Sequence, residues 1–102
     1  MTRLVVTADA ETDITDVLDH LAKKAGSAVA IAYGHKFRTS IERLLEFPGM
    51  GARRPALGAS ARIAIVPPCV LIYDYTDTTD VLTLLRVVHG KRNVTRRLIR
   101  RA

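Results

Sequence analysis

Two helix-period segments joined at Gly26-Ser27 constrain this chain more than any other feature. Ile14, Val17, Leu18 and Leu21 recur at i, i+3, i+4, i+7, the stripe of an amphipathic helix. Asp9 stands ahead of them as the expected N-cap, with Glu11 and Asp13 in the first turn, where the helix dipole favours negative charge. Lys23 and Lys24 suit the C-terminal end, and Gly26 closes the helix. Ser27 is placed to cap a second, longer helix with the apolar line Ala30, Gly34, Phe37, Ile41, Leu44, Leu45. Helices joined by so short a turn have to pack antiparallel. Gly34 inside the apolar line costs about 1 kcal/mol against Ala, and a close approach by the first helix would account for it.

The rest of the chain reads as sheet. Arg3 to Thr7 is short and β-branched, a first strand ahead of the hairpin. Phe47-Pro48-Gly49-Met50-Gly51 breaks the second helix, and the segment from Gly51 to Ser60, with Arg53, Arg54 and Pro55, reads as loop. Three strands are predicted after it: Ala61 to Val66, Cys69 to Tyr75, and Val81 to His89. Pro67-Pro68 forces the first turn between them, because neither proline can donate to a sheet ladder. Thr76 to Thr79, with Asp77 and Asp80, forms the second. Gly90 opens a tail whose Val94 and Leu98 could seat a short terminal helix. The order β-α-α-β-β-β predicts an α+β domain over 1–102, its helical hairpin on one face of a mainly antiparallel four-stranded sheet. On the last strand Leu82, Leu84, Arg86 and Val88 should share one face, and Val81, Thr83, Leu85, Val87 and His89 the other. Which face meets the helices is left open.

Charge narrows the partners. The 17 residues from Arg86 to Ala102 hold seven of the 16 Lys and Arg and no carboxylate. Residues 1–22 carry −4 and residues 81–102 carry +7. Such polarity steers a negative partner toward one end: nucleic acid, an acidic protein face or an acidic peptide. Nearly half of the residues are apolar and a quarter charged, which suits a folded domain rather than a disordered one. No apolar run approaches the roughly 20 residues needed to span a bilayer. Met1-Thr2-Arg3 leads straight into a strand, without the layout of a signal peptide, and the lone Cys69 permits no intrachain disulfide. A cytoplasmic location, with no membrane partner, is expected.

An ordered set of short motifs gives a resemblance. Ala10 and Asp13-Ile14 open the first helix, Phe47-Pro48-x-x-Gly51 breaks the second, Arg62 and Tyr73 lie in strands, and Leu85-Arg86-Val87-Val88-His89-Gly90-x-Arg92 closes the sheet. Together they resemble the ParE toxins of ParD–ParE toxin–antitoxin modules, within the RelE/ParE superfamily, over almost the whole chain. The resemblance implies a growth-inhibiting toxin that acts on DNA gyrase and is neutralised by a ParD-like antitoxin in a hetero-oligomeric complex. Arg62 and Arg86 are then candidate antitoxin contacts, and Arg86, Arg92, Arg96 and Arg97 candidate gyrase contacts. DNA would be reached through antitoxin or gyrase. RelE relatives instead cut messenger RNA on the ribosome, so a shared fold does not decide between the two activities.

Cleavage through a 2′-hydroxyl needs a base, an acid for the leaving oxygen and cations around the phosphate. Arg62, Arg86 and Arg92 are the cations on offer, His89 the proton carrier and Glu46 a possible base. Arg53 and Arg54 stand where the ribonuclease branch commonly has lysines, and arginines titrate too high to donate protons readily. No aromatic residue follows Tyr75. The kit is incomplete, and a binding inhibitor is expected rather than an enzyme. A plain nucleic-acid-binding domain is a third reading, weakened by the lack of stacking aromatics beside the arginines.

Structural readings stand beside these roles. Arg86 can be a strand arginine whose stem packs by Leu84 and whose head pairs with Asp74 or Asp80. His89 can be bonded to backbone at a strand end, and Tyr73 and Tyr75 can be sheet packing. The terminal arginines can be a solubilising tail, although Val94, Leu98 and Ile99 interrupt them. His20, His35 and Cys69 show no ligand spacing; no metal and no cofactor are expected.

Overall fold

The computed structural model describes residues 2–89. The terminal helix expected around Val94 and Leu98, together with Arg92, Arg96 and Arg97, lies outside them. The elements run β1 (Arg3–Val6), α1 (Ala8–Ala25), α2 (Ser27–Glu46), β2 (Ala52–Arg53), β3 (Ala61–Val66), β4 (Cys69–Thr76) and β5 (Val81–His89). The sheet order is β1-β5-β4-β3-β2. β1 pairs parallel with β5, and the remaining neighbours are antiparallel. Four of these strands match the expected ones. The fifth, β2, arises inside the predicted loop, where Ala52 and Arg53 oppose Ile63 and Arg62. Short 3₁₀ turns at Pro48–Met50 and Pro55–Leu57 flank it.

Both helix caps differ from expectation. α1 starts one residue after Thr7, whose hydroxyl accepts from the Ala10 N–H at 3.0 Å and donates to the Leu85 carbonyl at 2.8 Å. Thr7, not Asp9, is therefore the cap: a hydroxyl can donate and accept at once, and so ties the helix start to the sheet. At the hairpin turn Gly26 has φ of 96°, a left-handed conformation that glycine adopts without Cβ strain. It caps the end of α1 through its N–H to the Ala22 carbonyl and precedes Ser27, the first residue of α2, where no side-chain cap bond forms.

The hairpin covers one sheet face. Ala10, Phe37 and Leu44 pack there with Val66, Cys69, Leu71, Tyr73, Leu82, Leu84 and Val87. On the other face Leu57, Ala61, Ile72 and Val88 form a smaller cluster, with Leu85 beside it. Strict alternation along β5 is thus broken. Tyr73 opposes Leu84 while Ile72 opposes Arg86, so Leu85 is an extra residue in a β-bulge. Past it the faces exchange: Val87 joins Leu82 and Leu84 beneath the helices, and Val88 turns away, which corrects the predicted grouping.

Gly34 is less confined than its place in the stripe suggested. A Cβ there would meet only Leu18 Cδ1, at 3.8 Å, an ordinary contact. Gly34→Ala should therefore raise unfolding free energy by about 0.5–1 kcal/mol through helix propensity. A urea titration checks it; a loss of stability would mean that the hairpin needs the smaller residue.

Candidate functional site

β1 ends opposite Leu84, leaving the upper part of β5 without its outer neighbour among the described residues. Substitutes come from the chain that follows β1. The Thr7 N–H donates to the Leu84 carbonyl, and the Thr7 hydroxyl to that of Leu85. One turn and a half further on, Asp13 completes the set. Its Oδ2 accepts the Val87 N–H at 2.9 Å and Arg86 Nε at 2.7 Å, while Oδ1 accepts Arg86 Nη2 at 3.0 Å. The Asp13 carboxylate thus binds a guanidinium in the two-pronged manner its planar fork favours, and caps a strand at the same time. The two side chains are only 13% and 11% exposed. The hydrogen bond to Asp13 raises the Arg86 pKa above its ordinary value; burial opposes that shift, and the charges of Asp13 and Asp9 add to it.

This settles which face carries Arg86. Its head turns toward α1 and meets Asp13, not Asp74 or Asp80 on the sheet. Asp80 accepts from the hydroxyls of Thr2 and Tyr75, contacts that hold its carboxyl below the usual range.

A second lock organises the helix break. The buried Tyr73 hydroxyl accepts from the Gly51 N–H at 2.9 Å and donates to the Pro48 carbonyl at 2.7 Å. Burial raises its pKa, partly offset by the Gly51 contact and the charge of Arg62, so the phenol stays protonated and can donate. Arg62 Nη1 reaches the carbonyls of Gly51 at 2.8 Å and Gly49 at 3.1 Å. Gly51 is required by proximity: a Cβ would lie 2.6 Å from the Ile63 carbonyl oxygen and closer still to the Tyr73 hydroxyl. The break motif, Arg62 and Tyr73 are therefore parts of one contact.

An open groove of about 870 Å³ lies between α2 and the β3 side of the sheet. Lys36, Arg43 and Arg54 border it, and no carboxylate does. Sequence reasoning did not single out Lys36 or Arg43; helical spacing hints at them, because His35, Thr39 and Arg43, like Lys36 and Ser40, recur every four residues.

Among the described residues the members of the proposed ribonuclease set are engaged separately or exposed. Arg86 is engaged with α1 and Arg62 with the loop backbone. His89 and Glu46 are exposed, on the last residues of β5 and α2, and Arg92 lies outside the described residues. Among the described residues no His, Cys, Asp and Glu cluster could hold a metal, and no helix is long and apolar enough to cross a membrane.

Residues 4–94 match the family described as the ParE toxin of type II toxin-antitoxin system, parDE. The chain belongs to that family. No curated protein matches it. Its fold is similar to a chain from the chromosomal ParDE TA system of P. aeruginosa, with TM-score 0.75 and 19% identity over 89% of this chain and 98% of that one. It is also similar to the isolated E. coli RelE toxin, with TM-score 0.63 and 16% identity over 91% and 88%. At these identities the likeness carries the fold, and the ParE assignment rests on the family match.

Tyr73→Phe keeps the ring and removes both hydroxyl contacts of the loop. Leaving the buried Gly51 N–H unpaired is expected to cost about 1–3 kcal/mol, read as a shift in urea unfolding. An unchanged midpoint would mean that Arg62 alone holds the break.

Proposed function

We propose that this ParE-family chain is the toxin of a two-component module, acting by binding and kept inactive by direct contact with a ParD-like antitoxin. The engagement of Arg62 and Arg86 carries this reading. A phosphoryl-transfer site needs guanidinium groups aimed at the reacting phosphate, whereas here Arg62 grips the Gly49 and Gly51 carbonyls and Arg86 the Asp13 carboxylate. The target in this reading is DNA gyrase, in the cytoplasm, engaged through the cationic end of the chain with Arg92, Arg96 and Arg97 as the contacts. Arg86 holds β5, the strand that precedes that end in the chain, to α1.

Support for an antitoxin partner comes from the family and from the ParDE system of the structural neighbour. The net charge of +6 suits an acidic partner, which a folding-on-binding segment would supply. The ribonuclease reading has in its favour the fold likeness to RelE, but lacks an assembled set of acid, base and cations among the described residues.

In a supercoiling assay with purified gyrase and relaxed plasmid, antitoxin-free protein should inhibit the reaction and accumulate cleaved DNA. Unaffected gyrase, together with messenger RNA cut in a translating extract, would contradict the proposal and favour the RelE-type activity.

A further inference from the structure

The two arginines first expected to meet the antitoxin are engaged within the chain, which directs attention to the groove beside α2. Its floor has an unusual border: the five consecutive residues Ile63 to Pro67 all line it. Successive residues of a strand point to opposite faces, so such a run can border one groove only along the strand's edge. That edge is open. β2 opposes only Arg62 and Ile63, and among the described residues no strand pairs with Ala64–Val66 on that side.

The two sides of this edge differ in chemistry. Ala64 and Val66 oppose Leu71 and Cys69 in the core beneath the helices, next to the α2 flank with Lys36, Ser40 and Arg43. Ile65 opposes Val70, on the face turned away from the helices, and is 66% exposed. A strand laid against the edge would present alternate side chains to these two environments: carboxylates toward Lys36 and Arg43, and an apolar residue beside Ile65. A second copy of this chain would bring the same cations to the groove and meet like charge. Nucleic acid would find no Phe, Tyr or Trp among the lining residues on which to stack.

We infer that the open edge of β3 receives an extended segment of the antitoxin as an added strand, with alternating acidic and apolar side chains. This rests on the antitoxin reading above and specifies where and how the partner is held. The pairing is short, so backbone hydrogen bonds supply orientation and the flanking side chains most of the affinity.

Amide hydrogen exchange tests it, on the full chain alone and in complex with the full-length antitoxin encoded with it. The Ile65 amide, which faces the open edge while those of Ala64 and Val66 face β4, should exchange more slowly in the complex. Lys36→Glu/Arg43→Glu, two exposed sites on α2, should weaken binding at least tenfold at matched salt. Binding with unchanged exchange at the Ile65 amide and an unchanged Kd in the double variant would overturn the inference and leave the antitoxin reading intact. No binding by the unaltered chain would overturn both. Slow exchange of Ile65 in the chain by itself would show the edge already covered, by its own residues or, where it depends on concentration, by a second copy; either contradicts the inference.

Discussion

The contact of Asp13 with Arg86 and the Val87 N–H is the constraint on which the rest of this structure depends. β1 is too short to pair with all of β5, and a buried backbone donor without a partner is costly. Asp13 supplies that partner from the helix that follows β1, and Arg86 neutralises the carboxylate so placed. α1 is thereby fixed over the upper part of β5, and the turn at Gly26 returns α2 along the same face. The bulge at Leu85 belongs to this arrangement: it shifts β5 so that Arg86 and Val87 meet α1 while Val88 fills the opposite cluster. Pairing across 73 residues of chain joins the first helix to the last strand.

At the other end of α2 the Tyr73 and Arg62 contacts act in a comparable way on the helix break. They hold Pro48 to Gly51 against β3 and β4, from which the chain enters the brief β2 strand. Because β2 is so short, the sheet ends in a partly open edge beside a cationic helix flank. The two locks also bear on chemistry. Guanidinium groups that satisfy carbonyls and a carboxylate of their own chain are poorly placed to stabilise a phosphate in flight.

Patterns within one element were legible from the amino acids. The stripe from Ile14 to Leu21 and the line from Ala30 to Leu45 gave the hairpin, and the proline and glycine positions gave the helix break and the Pro67-Pro68 turn. What depends on distant neighbours was not legible. Asp9 and Thr7 both make acceptable caps, and only the position of the Leu85 carbonyl favours Thr7. Leu85 as an inserted residue has no signature in a run of apolar residues, so the faces past it were misassigned. Arg86 had nearby carboxylates at Asp74 and Asp80, yet its partner lies on the first helix, where Asp13 had a sufficient local explanation in the helix dipole. Gly51 read as part of the helix break, and its reason is the closeness of Ile63 and Tyr73. The cationic flank at Lys36 and Arg43 was masked because surface charge on a helix is common, and acquires meaning only beside an open strand edge.

The most direct measurement of the central contact is a double-mutant cycle on unfolding free energy, with Asp13→Ala, Arg86→Met and the two together. Asp13→Ala alone should cost about 3–5 kcal/mol, because it removes the carboxylate that pairs with a buried guanidinium. The double variant should recover much of that loss, giving a coupling of roughly 2 kcal/mol or more. Independent effects that add, with the double variant as unstable as the sum of the single ones, would contradict the account and show that α1 is held to the sheet without this pair.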